Sequence, residues 1–302
     1  MSNFAFNNPA FQQPDPRNVS TYPGGPQAAQ GAQTTAQRAA MSAATNAQLE
    51  GMYAAPPAGS LETDRMSVED TVWKTAGLFG ILVVTAVIGW VLTLGGVQAD
   101  LTRNVSLMPM IIGALGGFVL ALVVTFTSRK KVRPALIFAY AAFEGLFVGG
   151  ISAFFEVRWP GIVVQATLAT LAVVGVTLAL FASGKVRASK RMTKIFLIAM
   201  VGYLVFSLLN IVLMWTGVLP GDLAFGMRSA TIMGIPLGLI IGVLVVFMAA
   251  YSLVLDFDRI QQGVRNGAPR KYGWLGGFGI MVTVVWLYVE ILRIIAIVRG
   301  NN

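Results

Sequence analysis

Seven apolar runs separated by short polar connections organise this chain: roughly 72–94, 106–127, 134–155, 161–182, 194–215, 230–255 and 276–298. Each is about long enough to cross a bilayer, which takes roughly 20 apolar residues at about 1.5 Å of rise each. The short alternating segments of a membrane β-barrel are absent, so the pattern predicts an all-α membrane protein built as a seven-transmembrane-helix bundle. Local signals place some of the ends. Ser67-Val-Glu-Asp70 has the spacing of an N-cap box. Pro109 and Pro134 fall near the starts of the second and third runs, where a missing N–H matters least. Pro236 lies inside the sixth run and is expected to kink or delay that helix. No internal repeat is visible, which gives no support to an inverted-repeat transporter.

Ahead of the first run, residues 1–62 are rich in Ala, Gln, Asn, Pro and Gly. Such a composition buries too little apolar surface to offset the entropy of ordering, so a disordered cytoplasmic tail is expected before a membrane domain over 63–302. The tail has no signal-peptide core, and the first membrane helix is expected to serve as an uncleaved anchor.

Composition agrees with the runs: 56% of the 302 residues are hydrophobic and 12% charged, where soluble domains carry about 25% charged residues. The formal charge of +9 is a matter of topology. Arg129, Lys130, Lys131 and Arg133 follow the second run. Lys185, Arg187, Lys190, Arg191 and Lys194 follow the fourth, and Arg259, Arg265, Arg270 and Lys271 the sixth. The alternate connections hold Arg103, Arg158 and Arg228, one each. The positive-inside rule then puts the basic loops and the N-terminus in the cytoplasm and the C-terminus outside. The lipid bilayer is the expected partner, and no nucleic acid is.

The chain has neither histidine nor cysteine. Disulfides and thiolate metal sites are excluded, and histidine-based zinc chemistry nearly so. With no nucleophile turn in view, the chain is expected not to be an enzyme and to need no cofactor. The seventh run offers no lysine for a retinal Schiff base. Proton sensing in the membrane therefore falls to carboxylates.

Three such carboxylates occur in or at the edge of apolar runs: Glu144, Asp256 and Glu290. A charge mid-membrane costs on the order of 3 kcal/mol or more, so it is expected to face a polar path or a partner. At about 100° per residue, the stripe through Glu290 collects Gly276, Gly279, Thr283, Trp286 and Ile297. The stripe through Asp256 collects Gly238, Gly242, Ala249 and Ser252. Small residues permit close helix approach, so both acids are expected to face the bundle. Asp258 points the other way and reads as a solvated or ion-paired acid at the loop end. Two acids sharing a dry site titrate as a unit, and such a pair could hold a proton or a calcium ion. Each acid also has a plainer reading. Arg293, one turn on, could neutralise Glu290; Glu144 could bond Tyr140 or a neighbouring carbonyl; Asp256 could face headgroups.

The segments Leu253-Val-Leu-Asp-Phe-Asp-Arg-Ile260 and Trp286-Leu-Tyr-Val-Glu-Ile-Leu-Arg293 resemble the signature of the Bax inhibitor-1 family of transmembrane proteins. Thr63-Asp-Arg-Met-Ser-Val-Glu-Asp70 and Ala141-Ala-Phe-Glu-Gly-Leu-Phe-Val-Gly149 look like its bacterial branch. The resemblance implies a bundle whose last helix is central, in a bacterial cytoplasmic membrane. It implies a pH-sensitive, calcium-permeable leak channel governed by two acids, carried over onto Asp256 and Glu290. Arg129 and Arg293 would modulate the pore and Glu144 would line it. The alternative is a stress-response scaffold that regulates a membrane protease or other membrane-protein partner. Pairing requires that helix seven begin near Gly276–Gly279; a start at Tyr272 would carry Glu290 about 27 Å along the helix, too deep to meet Asp256.

Overall fold

The computed structural model describes residues 64–95, 105–218 and 225–300; the expected tail over 1–62 and Arg103 lie outside them. Seven helices are long and apolar enough to cross a membrane. They are α1 (Val68–Thr93), α2 (Met108–Ser128), α3 (Pro134–Arg158), α4 (Ile162–Ala182), α5 (Lys190–Trp215), α6 (Leu237–Arg265) and α7 (Tyr272–Gly300). The protein is therefore a multi-pass, all-α membrane protein, as the runs predict. The loops after α2, α4 and α6 form a basic end, and the other connections the far end.

Sequence signals set the helix ends. Ser67 caps α1, its hydroxyl accepting the Asp70 N–H at 3.1 Å. Pro134 is the first residue of α3. Pro236 delays α6: it stands at the N-cap position with φ −59°, and the helix starts at Leu237. Residues 231–236, expected inside the sixth helix, instead form a tight hairpin, β1 (Thr231–Ile232) against β2 (Ile235–Pro236). Met233 and Gly234 make its turn at φ 54° and 82°, a left-handed pair that suits the twist of a two-residue hairpin.

The last helix is the central one. Buried residues make up 56% of the apolar stretch of α7, against 11% for α5. Around it pack α1, α3, α4 and α6. Close approach depends on missing side chains. A Cβ on Gly145 or Gly149 of α3 would overlap Leu82, Thr85 or Ala86 of α1. One on Gly113 of α2 would overlap Phe143 and Phe147. With little apolar gain from association inside lipid, such contact supplies much of the cohesion. Helix α5 stands apart, with Phe196 and Asn210 its only buried residues.

At the basic end the start of α1 is tied to the α6–α7 loop. Asp70 accepts from Arg270 Nη2 at 2.8 Å and from Lys74, while Lys74 also donates to the Arg270 carbonyl at 2.7 Å. The Met66 N–H donates to Ala268 O at 2.7 Å. The first helix is thus fastened to the hinge between the last two.

Candidate functional site

Asp256 sits on the inner face of α6 and is 1% exposed. Asp256 faces inward as its stripe of small residues predicts, whereas Asp258 is only half-buried and accepts from Gln262 at 2.7 Å. Across from Asp256, the Thr283 hydroxyl of α7 donates to Oδ2 at 2.7 Å. Ser252 lies one turn back on α6, 3.4 Å from the same hydroxyl. Arg259, on the same helix toward the basic end, is a cation whose field reaches the carboxylate. Among the described residues Asp256 is therefore a buried acid held by one hydroxyl hydrogen bond, about 14 Å inside the basic end of its helix by nine residues of rise.

Glu290 is equally buried, but its surroundings are charged. Arg228 Nη1 donates to Oε1 at 3.1 Å, and Arg293 Nη1 and the Tyr203 hydroxyl donate to Oε2, the latter at 2.8 Å. The Tyr203 oxygen in turn accepts from Arg228 Nη2 at 3.1 Å and Arg293 Nη1 at 3.3 Å. Ser207 accepts from Arg228 Nη2 at 3.2 Å. One carboxylate is thus shared between two guanidinium groups and a phenol.

The position of Arg228 depends on a chain reversal. The far-end connection re-enters as a 3₁₀ turn, Gly226–Ser229. Asn210 of α5 secures it by accepting the Met227 N–H at 2.7 Å and donating to Phe225 O at 3.3 Å. Gly226 takes φ 60°, and the space a Cβ would need is filled by Asn210 and Met214. Gly238 and Gly242 leave room for the turn and for Glu290: a Cβ on the first would lie 2.9 Å from Arg228 O, and one on the second would press on Ile294. Beside the cluster is a cavity of about 400 Å³, bounded by Tyr203, Ser207 and Asn210 of α5, Arg228 of the turn, and Trp286 and Arg293 of α7.

The two acids expected to pair are not brought together. Helix α7 begins at Tyr272, the start that carries Glu290 too deep. The α7 residue that meets Asp256 is Thr283, and Glu290 lies seven residues, about 10 Å, farther along the axis. Glu290 instead faces Gly242 of α6, and among the described residues the two carboxylates have no hydrogen-bonding partner in common. Among the described residues the expected face-to-face placement of Asp256 and Glu290 is not seen: a threonine, Thr283, occupies the place opposite Asp256. The Glu290–Arg293 pair at i, i+3 is present, with Arg228 added.

Calcium takes six to eight oxygens. Among the described residues no three acids group to hold a metal ion, and Asp256 and Glu290 do not form a joint site. Glu144 stands one turn after Tyr140 on α3, and Tyr140 packs edge-on to Phe278 of α7 at 4.8 Å. Its carboxylate fills the space beside Gly117 of α2. Arg129 caps the end of α2, 5.9 Å from the Phe126 ring. Sequence reasoning missed Arg228, Tyr203 and the role of Thr283. A signal was present in the fifth run, where Tyr203, Ser207 and Asn210 recur at i, i+4 and i+7, one polar face on an apolar helix.

No curated protein matches the chain. The family model described as Bax inhibitor 1 like matches residues 8–300, nearly the full length and all seven helices. With its bundle closed around a buried last helix, this chain belongs to the Bax inhibitor 1-like family of membrane proteins.

Proposed function

We propose that this protein is a pH-sensitive, calcium-permeable leak pathway of the bacterial cytoplasmic membrane, with its N-terminus and basic end in the cytoplasm and Asp256 as its proton-responsive group. The observation that carries the reading is Asp256 itself: a fully buried acid between the two most buried helices, met directly by the Thr283 hydroxyl and, among the described residues, in no salt bridge. A carboxylate in so dry a place is costly unless neutralised, and binding a proton neutralises it. When protonated it can donate to a hydroxyl or carbonyl; when ionised it can only accept. The packing of α6 on α7 at this level thus differs between the two states. Acting on it among the described residues are the charge of Arg259 on its own helix and the hydroxyl dipole of Thr283 on α7.

Glu290 has a different part in this reading. Its ion pairs with Arg228 and Arg293 hold α7 to the far-end turn, so it anchors the outer half and leaves sensing to Asp256. Calcium enters as the permeant ion, not as a resident ligand. The test is calcium flux into liposomes that hold the purified protein, measured across pH. Wild type should pass calcium with a pH-dependent rate, and Asp256→Asn should flatten that dependence. Absence of flux at every pH would favour the scaffold alternative.

A further inference from the structure

The cluster around Glu290 is unbalanced in charge. Arg228 and Arg293 carry two positive charges, permanently, and Glu290 supplies at most one negative charge. Among the described residues, no other acid hydrogen-bonds or ion-pairs with either arginine. The excess does not lie at the surface: the Arg228 side chain is 5% exposed and that of Arg293 28%. Both line the cavity of about 400 Å³, within the 300–1,000 Å³ range of small-ligand sites. Arg293 uses only Nη1 on protein partners, so its Nε–Nη2 edge, the fork that fits an oxyanion with two parallel hydrogen bonds, makes none to a described residue.

The rest of the cavity wall has two characters. Ser207, Asn210 and the Trp286 indole offer polar groups, while Ile211, Met214 and Phe225 are apolar. Its outer boundary is α5, with only two buried residues, so few contacts need yield for a molecule to pass beside it. Lengthwise, Glu290 is about 15 Å from the α7 terminus by ten residues of rise, which puts the cavity within the apolar layer. A monoanion with an apolar body matches all of these features.

We propose that this cavity binds a singly charged oxyanion, a carboxylate or phosphodiester, held by the Nε–Nη2 edge of Arg293 and the buried charge of Arg228. The source is either a membrane amphiphile that enters beside α5 or a soluble ion. The proposal rests on the arginine cluster and not on Asp256, so it stands or falls independently of the flux reading.

The experiment measures equilibrium binding to the full-length protein in phosphatidylcholine nanodiscs. Four radiolabelled probes separate the sources: palmitate and phosphatidylglycerol as amphiphiles, acetate and dimethyl phosphate as soluble ions. Saturable binding of at least one probe, one per chain, is expected. Arg293→Gln should weaken it at least tenfold while leaving the Arg228–Glu290 pair in place. Ile211→Trp fills the cavity from its apolar wall without touching a charge, and should also weaken any amphiphile that binds. Binding of an amphiphile identifies a lipid site, and binding of a soluble ion alone identifies an ion site. Asp222, outside the described residues, belongs to the same far-end connection, and Asp222→Asn tells whether the chain supplies the anion itself. The proposal is overturned if no probe binds wild type, if binding appears only in Asp222→Asn, or if Arg293→Gln leaves it unchanged.

Discussion

Replacing Glu290 by Gln leaves Arg228 nearly as buried as before but without its counter-charge. The consequence can be worked from the exposures. Removing one partner of a buried ion pair costs about 3–5 kcal/mol, because the remaining charge stays desolvated. Arg228, 5% exposed in its side chain, meets that condition, and Arg293 at 28% meets it only in part. Glu290→Gln is therefore expected to cost about 3 kcal/mol. Arg228→Met should cost about 2 kcal/mol, since Glu290 keeps Arg293 and Tyr203. Arg293→Gln should cost about 1 kcal/mol or less. The double variant Glu290→Gln/Arg228→Met has no stranded charge between the two positions. Its loss should fall short of the sum of the singles by about 2 kcal/mol. Titration with SDS in mixed micelles, followed by circular dichroism, gives each value. Additivity within about 0.5 kcal/mol would refute the reasoning, as would a larger loss for Arg293→Gln than for Arg228→Met.

Other outcomes follow from separate parts of the fold. Gly149→Leu puts a side chain where Ala86 of α1 already lies, and should cost about 3 kcal/mol or more in the same titration. Arg270→Ala opens the tie between α1 and the α6–α7 loop; with Arg270 33% exposed the loss should be about 1 kcal/mol, and the Met66 amide, bonded to Ala268 O, should exchange hydrogen faster. Thr283→Val removes the hydroxyl that donates to Asp256, costing about 1–3 kcal/mol and moving the midpoint of any pH-dependent flux. Tyr203→Phe takes a donor from Glu290 and an acceptor from both arginines, and should destabilise by about 1–2 kcal/mol.

The helices were legible because hydropathy in a membrane protein is a local property: each run satisfies its own backbone and declares its own length. Ser67, Pro134 and Pro236 mark ends through local sterics and capping, and the first two ends lie where they were expected. The start of α6 falls after the apolar run begins, the delay expected from Pro236, because hydropathy continues through 230–236 while Pro236 and the Met233–Gly234 turn break the helix. The inward direction of Asp256 was legible for the same reason, as a stripe of small residues on one helix. What was not legible is contact between helices. Arg228 is 62 residues from Glu290 in sequence and reads as a lone basic residue in an outer loop. Only the fold reveals that the loop turns inward. The pairing of Asp256 with Thr283 depends likewise on where α7 begins, a matter of four to seven residues that hydropathy blurs at a glycine-rich start.

The central claim is that the two buried acids do different work, with Asp256 answering to protons and Glu290 bound into an ion-pair anchor. The most direct test sets the pH profiles of calcium flux through Asp256→Asn and Glu290→Gln beside wild type, in liposomes at equal protein content. The account expects a pH-dependent wild-type profile, a flat one for Asp256→Asn, and for Glu290→Gln a change in amplitude with the midpoint kept. A midpoint that moves with Glu290→Gln while Asp256→Asn tracks wild type would contradict it.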